Sequence, residues 1–345
     1  MASVAIIGGG VSGLAAAWRL RLAGAEVSVF EAGPRLGGRA ITLHHGLARF
    51  DPGAQFFRTE TPLAEAVVRG ELPAAGLLDI PGQVRPFDGD GVIGDGDPRQ
   101  NAMPKWVYRQ GIGELARLLW AAGRPTVHLG WAVTALERGG GGGWTIAGAK
   151  GRTGTFDAVL LSAPPRAASA ILERSTFEVR DATVAALANG NSRTIIAIAL
   201  GFEEAGVAPP AYALVNIDRA HDISWLAFED QKPGYVPAGH RVVMAHMASH
   251  WSLSRLHEPD RALVAEAEPA IRLLSGVVAP VRWSKVVRWP EALPDTLLDQ
   301  AAFAAPESDG LFFAGDAFTG GRVHLALEDG LAAASRVVDY VACSR

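Results

Sequence analysis

Residues 3–13 read SVAIIGGGVSG, and this stretch decides the fold. Ser3 to Ile7 is apolar and rich in β-branched side chains, which predicts a buried strand. The Ala-rich segment from Leu14 to Ala23 predicts a helix directly after the glycines. A strand, a glycine loop and a helix in this order begin a Rossmann-like α/β fold.

The glycines follow the pattern Gly-x-Gly-x-x-Gly, and each has its own physical role. Gly8 permits a tight turn, Gly10 lets a pyrophosphate approach the backbone, and Gly13 lets the helix pack closely on the strand. A second predicted strand, Ala25 to Phe30, ends at Glu31, the position of the acid that binds ribose hydroxyls. Phosphate at the helix N-terminus meets free N–H groups and the positive end of the helix dipole. The sequence therefore predicts a bound dinucleotide.

This fingerprint does not separate FAD from NAD, because both contain the same ADP half. Arg35-Leu36-Gly37-Gly38-Arg39 follows the acid, and here paired glycines bring N–H groups against oxyanions while arginines add charge-assisted hydrogen bonds. Near the other end, a buried strand ends at Gly315-Asp316, and Gly320-Gly321-Arg322-Val323 leads into a helix to about Ala342. FAD is much longer than its ADP half, so two distant segments favour FAD. The combination resembles the FAD-binding amine oxidase and desaturase superfamily.

Composition limits the classes of protein to be considered. The chain has 345 residues, 49% hydrophobic and 20% charged, so we expect a globular FAD-binding body with an inserted second lobe. The formal net charge of −4 gives no field that would collect nucleic acid. No apolar stretch approaches the roughly 20 residues that cross a bilayer, so we expect a cytoplasmic protein without a membrane partner. The single cysteine, Cys343, allows no disulfide, thiolate cluster or redox pair and is badly placed to tether a flavin, which predicts non-covalent FAD and no metal.

The two lobes are expected to be interleaved in sequence. We assign residues 1–50, 104–165 and 290–345 to the FAD-binding domain. Residues 51–103 and 166–289 are assigned to an α+β substrate domain built on an antiparallel sheet. The elements expected between the two ends of the chain are a helix at 115–122, a strand at 127–136, a glycine hairpin at 139–143, a buried strand at 156–161 and a helix at 259–274.

Several segments resemble the renalase-like flavoproteins, a branch of the amine oxidase superfamily, and the resemblance covers nearly the whole chain. Phe50 to Phe57 is similar to the family's Asp-x-Gly-Ala-Gln-aromatic-Phe signature. The other similar segments are Lys232-Pro233-Gly234, residues 246–252, Arg288-Trp289 and Gly315-Asp316 with Gly321-Arg322-Val323.

The resemblance implies a glutathione-reductase-type FAD domain and the oxidation of 2- or 6-dihydro isomers of NAD(P), with electrons passing through FAD to O2 and release of H2O2. It also implies that Asp316 binds the ribityl and phosphate region and that the helix beginning at Val323 points at the flavin N1/C2=O edge. Val133 would present its backbone to the adenine. The residues by themselves support only hydride transfer to flavin N5 followed by reoxidation, which needs a dry cavity and no obligatory base.

The chain departs from the family pattern at three points near the expected active site. Ala317 stands where the family has tryptophan, Pro290-Glu291 where it has Arg-Tyr, and His324 where it has an acid. Substrate identity therefore stays open, and an amine oxidase or desaturase is the first alternative. The four tyrosines are too scattered to predict the tyrosine pair of an amine oxidase. A non-catalytic FAD-binding protein is the second alternative.

The small-molecule substrate is expected to lie in a pocket formed by Gln55, Phe57, Trp225 and His246, with Gln55 hydrogen-bonding a carboxamide; each of these residues also fits an ordinary core role. No residue is assigned to catalysis itself. His246 and His250 alternate along a predicted strand and would face one side, but no third ligand keeps the spacing of a metal site. The residues expected to bind the cofactor are Gly8, Gly10, Val11, Ser12, Gly13, Glu31, Ala32, Arg35, Gly38, Arg39, Ala54, Gln55, Val133, Gly315, Asp316, Arg322 and Val323.

Overall fold

The computed structural model describes residues 1–206 and 208–343. The strands in chain order are β1 Ser3–Ile7, β2 Glu26–Glu31, β3 Leu43–His45, β4 Ala48–Phe50, β5 Leu77–Asp79, β6 Val84–Phe87, β7 Trp106–Tyr108, β8 Thr126–Leu129, β9 Val133–Arg138, β10 Trp144–Gly148, β11 Gly151–Phe156, β12 Ala158–Leu161, β13 Asn191–Phe202, β14 Ala213–Asn216, β15 Ile223–Phe228, β16 Arg241–Met247, β17 Trp283–Thr296 and β18 Leu311–Phe313. The α-helices are α1 Val11–Leu22, α2 Pro62–Ala66, α3 Pro98–Ala102, α4 Glu114–Gly123, α5 Pro165–Leu172, α6 Arg180–Leu187, α7 Ser249–Ser254, α8 Asp260–Ser275, α9 Ala304–Ser308, α10 Asp316–Thr319 and α11 Val323–Cys343.

A five-stranded parallel sheet contains the N-terminal strand, in the order β18-β12-β1-β2-β8. Its side chains alternate between two cores, because successive residues of a strand point to opposite faces. Val4 and Ile6 pack with residues of α1 and α11 on one face. Ala5 and Ile7 pack with the antiparallel sheet β11-β10-β9 on the other face. The predicted α/β fold with a Rossmann-like strand–loop–helix start is confirmed.

A second, six-stranded sheet has the order β17-β13-β16-β15-β14-β6 and is antiparallel except for the pair of β14 with β6. One face, which includes Ile196, Ile198 and Val243, packs on α7 and α8 through residues such as Trp251 and Ile271. The opposite face is partly covered by the β3–β4 hairpin. The rest of that face turns toward the segment that follows β4 and toward the start of α11.

Two expectations about the middle of the chain were wrong. The single strand expected at 127–136 is two strands, β8 and β9, in different sheets, because Gly130 adopts a φ of +61° and turns the chain between them. The strand that carries His246 ends at Met247, so His250 lies on α7 rather than on the same strand. β17 extends across the approximate domain boundary expected at 289/290 and pairs with β13 as far as Thr296.

The helices predicted at 115–122 and 259–274 are present as α4 and α8, and the glycine hairpin at 139–143 joins β9 to β10. Among the described residues, no helix combines the length and the apolar character that a membrane crossing requires.

Candidate active site

The glycine loop after β1 has the geometry that its sequence pattern predicts. Gly8 has a φ of +110°, and a Cβ at this position would lie 2.9 Å from the Ser162 hydroxyl, so only glycine fits. A Cβ on Gly13 would lie 2.2 Å from the Gly8 carbonyl oxygen, which shows how closely α1 packs on the loop. Gly10 differs, because the nearest atom to its Cβ position is the Gly38 Cα at 4.0 Å. The space above Gly10 is therefore open on the side where a phosphate would approach.

The first turn of α1 offers unused hydrogen-bond donors. No side chain caps the helix and no acid lies in its first turn. The Ser12 hydroxyl is buried and has no hydrogen-bond partner among the described residues. Free N–H groups, an unpartnered hydroxyl and open space over a glycine at a helix N-terminus are what a pyrophosphate requires. These residues fit the phosphates of a dinucleotide.

Glu31 lies at the end of β2, beside the loop. Its carboxylate accepts hydrogen bonds from the backbone N–H of Gly9 at 2.8 Å and of Gly33 at 2.6 Å. These two bonds hold the side chain in one orientation, and a carboxylate has further lone pairs that ribose hydroxyls can use. Ala32 follows it and is exposed.

An ion pair joins the N-terminal and C-terminal segments. Arg39 donates to the Asp316 carboxylate at 2.7 Å and to the carbonyls of Glu291 and Ala292 at 3.1 Å each. Arg35, in contrast, is exposed at the surface. The two arginines that sequence reasoning treated alike therefore occupy different environments, and Arg39 connects two parts of one site.

The C-terminal motif has an open glycine of its own. Gly315 has a φ of +143° and no atom lies within 4 Å of its Cβ position. Its N–H donates to the carboxylate of Asp329 at 2.7 Å. Burial raises the pKa of Asp329. Sequence reasoning had not singled out this residue. The motif then leads through α10 and the segment 320–322 to the N-terminus of α11.

Val133 is the first residue of β9 and is buried in the core between the parallel sheet and the antiparallel sheet β11-β10-β9, called the meander below. Nearby, the ring of Trp131 lies edge-on to Phe30 with centroids 5.4 Å apart. The Trp131 Nε1 is buried without a hydrogen-bond partner among the described residues. This side of the parallel sheet thus contains an unused donor beside the position predicted for the adenine.

A cavity of about 520 Å³ lies between the six-stranded sheet and two chain segments, the one that follows β4 and the one at the start of α11. The sheet contributes side chains of one face, among them Ile195, Trp225 and His246. Residues 53–58 and 321–324 form the remaining walls. All four residues predicted for the substrate pocket line this cavity, together with the predicted cofactor residues Ala54, Arg322 and Val323. The four substrate-pocket residues are Gln55, Phe57, Trp225 and His246.

Three of these side chains carry polar atoms that have no hydrogen-bond partner in the described part of the chain, namely Gln55 Oε1, Trp225 Nε1 and His246 Nε2. Trp225 and His246 are partners across β15 and β16 and so share one face of the sheet. The Gln55 amide nitrogen donates to the Asp51 carbonyl, which fixes the orientation of the amide. Burial lowers the pKa of His246 to about 4, so its ring is neutral at pH 7. The cavity therefore presents neutral hydrogen-bonding groups that need a ligand.

Comparison with known families identifies the chain. A family model described as "Flavin containing amine oxidoreductase" matches residues 91–338, which is more than half of the sequence. The chain belongs to this family. A second model, for an NAD(P)-binding Rossmann-like domain, matches residues 6–69 and so covers the glycine loop and the acid.

Solved structures share the fold of this flavin-containing amine oxidoreductase. One carries the name "Putative protoporphyrinogen oxidase" and comes from Exiguobacterium sp. 255-15, with 15% identity, a TM-score of 0.76 and coverage of 100% of this chain and 99% of that one. Cyclohexylamine oxidase from Brevibacterium oxydans IH-35A has 16% identity, a TM-score of 0.74 and 99% coverage of both chains. A redesigned putrescine oxidase has 13% identity and a TM-score of 0.71, with 98% of this chain and 99% of that chain covered. FAD is the cofactor of the chain, as its family indicates.

Most charged residues of the cavity were missed by sequence reasoning, because they come from segments far apart in the chain; of the residues named next, only Arg322 was predicted, as a cofactor-binding residue. Four arginines, Arg58, Arg193, Arg219 and Arg322, line the cavity together with one carboxylate, Asp295. The Arg193 guanidinium pairs with this carboxylate at 2.5 Å, and Arg58 lies 3.4 Å from Glu60. Within residues 1–206 and 208–343, the guanidiniums of Arg219 and Arg322 make no hydrogen bond or ion pair.

The two histidines considered as a metal pair lie on different elements. His250 lines the same cavity but lies on α7, where its Nε2 contacts the Asp222 carboxylate at 3.1 Å. In the part of the chain that the structure describes, no cluster of three or more potential metal ligands occurs. His324 is 3% exposed, and burial is the main cause that lowers its pKa.

A buried charge cluster lies directly behind the cavity wall. Lys232 Nζ lies 2.8 Å from Asp51 and 3.0 Å from Glu229, and all three side chains are completely buried. Burial by itself lowers the pKa of Lys232, but the charges of the two acids outweigh it and leave the pKa above its usual range. The lysine is therefore charged and held in the cluster, and it is not one of the residues that line the cavity.

Proposed function

We propose that the protein is an FAD-dependent oxidase with a renalase-like activity, the oxidation of 2- or 6-dihydro isomers of NAD(P). When bound, FAD supplies the hydride acceptor and passes the electrons to O2 with release of H2O2. The observation that carries this proposal is the charge of the cavity, where the four arginines face one carboxylate. An anionic dinucleotide is attracted to such a lining, whereas an alkylammonium substrate is repelled.

The neutral end of the cavity fits a carboxamide. The unpartnered Gln55 Oε1 would accept a hydrogen bond from the carboxamide NH2, and the Trp225 Nε1–H would donate one to its oxygen. Such unsatisfied groups discriminate strongly against ligands that lack the matching donor or acceptor. The aromatic rings of Phe56 and Trp225, with centroids 6.1 Å apart, contribute an apolar wall. Together these groups orient the ring and keep water from it.

No residue of the chain needs to act as a general base in this reaction. The nitrogen lone pair of a dihydronicotinamide drives the departure of its hydride, so orientation and exclusion of water are the tasks of the protein. The cavity matches that requirement, because His246 is neutral and Asp295 is paired with Arg193.

The cofactor would be bound non-covalently by the two open glycine sites. We propose that the pyrophosphate lies over Gly10 beside Ser12, with Glu31 on a ribose. The predicted cofactor residues Gly315 and Asp316 would contact the ribityl region. The N-terminus of α11 would lie at the flavin N1/C2=O edge, where its dipole stabilises negative charge. The parallel sheet with its meander is then the FAD-binding domain, and the six-stranded sheet is the substrate domain.

The alternatives are weaker. Among the described residues that line the cavity, none is a tyrosine, so the tyrosine pair expected in an amine oxidase is not in place. A porphyrinogen, named for one structure of the same fold, is also anionic and belongs in the test.

Anaerobic bleaching of the bound flavin tests the proposal. The purified yellow protein is mixed with 2-, 4- and 6-dihydro isomers of NAD and NADP, with primary amines and with protoporphyrinogen, and absorbance near 450 nm is followed. We expect fast bleaching by the 2- or 6-dihydro isomers and none by amines. Bleaching by amines or by protoporphyrinogen alone would refute the renalase-like activity. A protein that cannot be reconstituted with FAD would refute the oxidase proposal altogether.

A further inference from the structure

Arg219 adopts an unusual backbone conformation at the edge of the cavity. It lies in the turn between β14 and β15 with a φ of +60°. Among the described non-glycine residues, only Arg124 shares a positive φ. A side chain with a Cβ is strained in this region, and strained residues concentrate at functional sites.

The turn is held rigidly enough to maintain this strain. The Asp218 carboxylate accepts hydrogen bonds from the N–H of Gly89 at 2.7 Å and of Ala220 at 3.1 Å. The Asn216 amide donates to the same carboxylate at 2.8 Å and accepts from the N–H of His221 at 3.2 Å. These four bonds surround Arg219 in sequence without involving its side chain. They fix the backbone position from which the Arg219 side chain extends.

The guanidinium of Arg219 is available to a ligand. The residue is exposed, lines the cavity, and makes no hydrogen bond or ion pair within the described residues. The nearby polar side chains of Asn216 and Asp218 are engaged with each other. An arginine offers a planar fork of donors that matches a phosphate, and it keeps its charge at every accessible pH.

We infer that Arg219 binds a phosphate group of the substrate at the rim of the cavity, while the nicotinamide end is enclosed beside Gln55 and Trp225. The inference rests on the proposed function for the identity of the enclosed end, but phosphate binding at Arg219 can be measured without turnover. It makes the substrate a phosphorylated nucleotide rather than a free base or a nucleoside. Arg219 is a specificity-determining residue in this view and takes no part in hydride transfer.

The first experiment measures binding of ADP and adenosine to the FAD-loaded protein by calorimetry at low salt. Arg219→Gly removes the guanidinium and relieves the strain, since glycine accepts a positive φ, so the turn keeps its shape. The matched control is Arg124→Gly, which removes an arginine and a positive φ at the end of α4, away from the cavity. We expect Arg219→Gly to weaken ADP binding about tenfold, and Arg124→Gly to leave it unchanged. Adenosine binding should be the same in all three proteins.

Several results would overturn the inference. Equal ADP affinity in the two variants, no ADP binding by the wild-type protein, or tighter binding of citrate than of ADP would each contradict a phosphate site at Arg219. A second variant, Arg219→Lys, keeps the charge but loses the fork and should bind ADP with intermediate affinity. If dihydronicotinamides fail to bleach the flavin while ADP binding still depends on Arg219, the proposed reaction fails and the phosphate site stands. If they bleach it and Arg219→Gly has unchanged KM for nucleotide and nucleoside substrates, the phosphate site fails and the reaction stands.

Discussion

Replacing Glu229 by glutamine should make the protein more stable at high pH and leave it nearly unchanged at low pH. Glu229 and Asp51 share a single cation, Lys232, in a cluster whose side chains are completely buried. When both acids are ionised, one negative charge stays uncompensated in the interior. Burial is the main cause that raises the pKa of Glu229 to about 7. Glutamine has the same shape and no charge, so it removes this penalty.

The sign and the size of the effect follow from the two pKa values. Between the ordinary value of 4.5 and the folded value of about 7, the folded protein binds a proton that the unfolded chain has released. Stability therefore falls as pH rises through this window, and the full loss is present above pH 7. The interval corresponds to about 3 kcal/mol. Below pH 4.5 both states are protonated and the penalty vanishes.

Urea unfolding at pH 5, 6, 7 and 8, with FAD at a fixed excess, measures the free energy of unfolding for wild type and variant. The variant must be compared with wild type at each pH, because His246, with a folded pKa of about 4, makes the free energy of unfolding rise with pH where Glu229 makes it fall. We expect Glu229→Gln to differ from wild type by less than about 1 kcal/mol at pH 5 and to be about 2–3 kcal/mol more stable at pH 8. Glu203→Gln, at an exposed ion pair with Arg282, is the control and should show almost no change at either pH. A difference that is the same at pH 5 and pH 8 would refute the assignment of this titration to Glu229.

Three further substitutions test the framework of the site. Gly10→Val should lose FAD yet keep the stability of the apoprotein, because the side chain enters open space over the loop; a variant that stays fully yellow would show that the pyrophosphate lies elsewhere. Gly330→Ala should destabilise the protein by about 1–3 kcal/mol in urea unfolding, since the new Cβ would lie 2.1 Å from the Ser12 carbonyl oxygen. The control is Gly70→Ala, whose Cβ has no neighbour within 4 Å and which should be neutral or stabilising. Lys232→Met should cost about 3–5 kcal/mol at pH 8, because two buried acids lose the cation that they share. A smaller loss in urea unfolding would mean that water reaches the cluster.

The N-terminal part of the fold was predictable from sequence because its determinants are local. The steric roles of Gly8 and Gly13 depend on residues of the same loop, or on a strand that pairs directly with β1. The acid at Glu31 follows from the length of α1 and β2. Short-range constraints of this kind leave few alternatives to a sequence pattern.

The end of the strand that carries His246 could not be predicted, because two different structures fit the same sequence pattern there. A continued strand would place Trp251 on the same face as Val243 and Met247, and α7 buries Trp251 against that same core. Both structures satisfy the hydrophobic pattern, so periodicity over a few residues does not distinguish them. The break between β8 and β9, in contrast, had a signal in Gly130, since a glycine inside a predicted strand often marks a turn.

The charge of the cavity lay beyond any local reading. Arg58, Arg193 and Arg219 come from three separate segments and meet only when the six-stranded sheet is folded. Arg219 sits in a turn whose sequence predicts no positive φ, because the conformation depends on the distant N–H of Gly89. The resemblance to known flavoproteins identified the residues of the neutral end, but the anionic character of the substrate depends on tertiary structure.

The buried cluster connects the stability of the protein to the geometry of its cavity. Asp51 uses its carboxylate to bind Lys232, and its carbonyl accepts the amide of Gln55, so the cluster fixes the orientation of a cavity side chain. Glu229 adds a charge that the lysine does not balance, and it also accepts a hydrogen bond from the Asp51 N–H at 3.3 Å. The second acid therefore lowers stability above pH 7 while it fixes the backbone of the segment that carries Gln55. Proteins tolerate such local costs where the geometry serves a site. Because glutamine keeps an acceptor for the same N–H, Glu229→Gln should gain stability at pH 8 without weakening substrate binding.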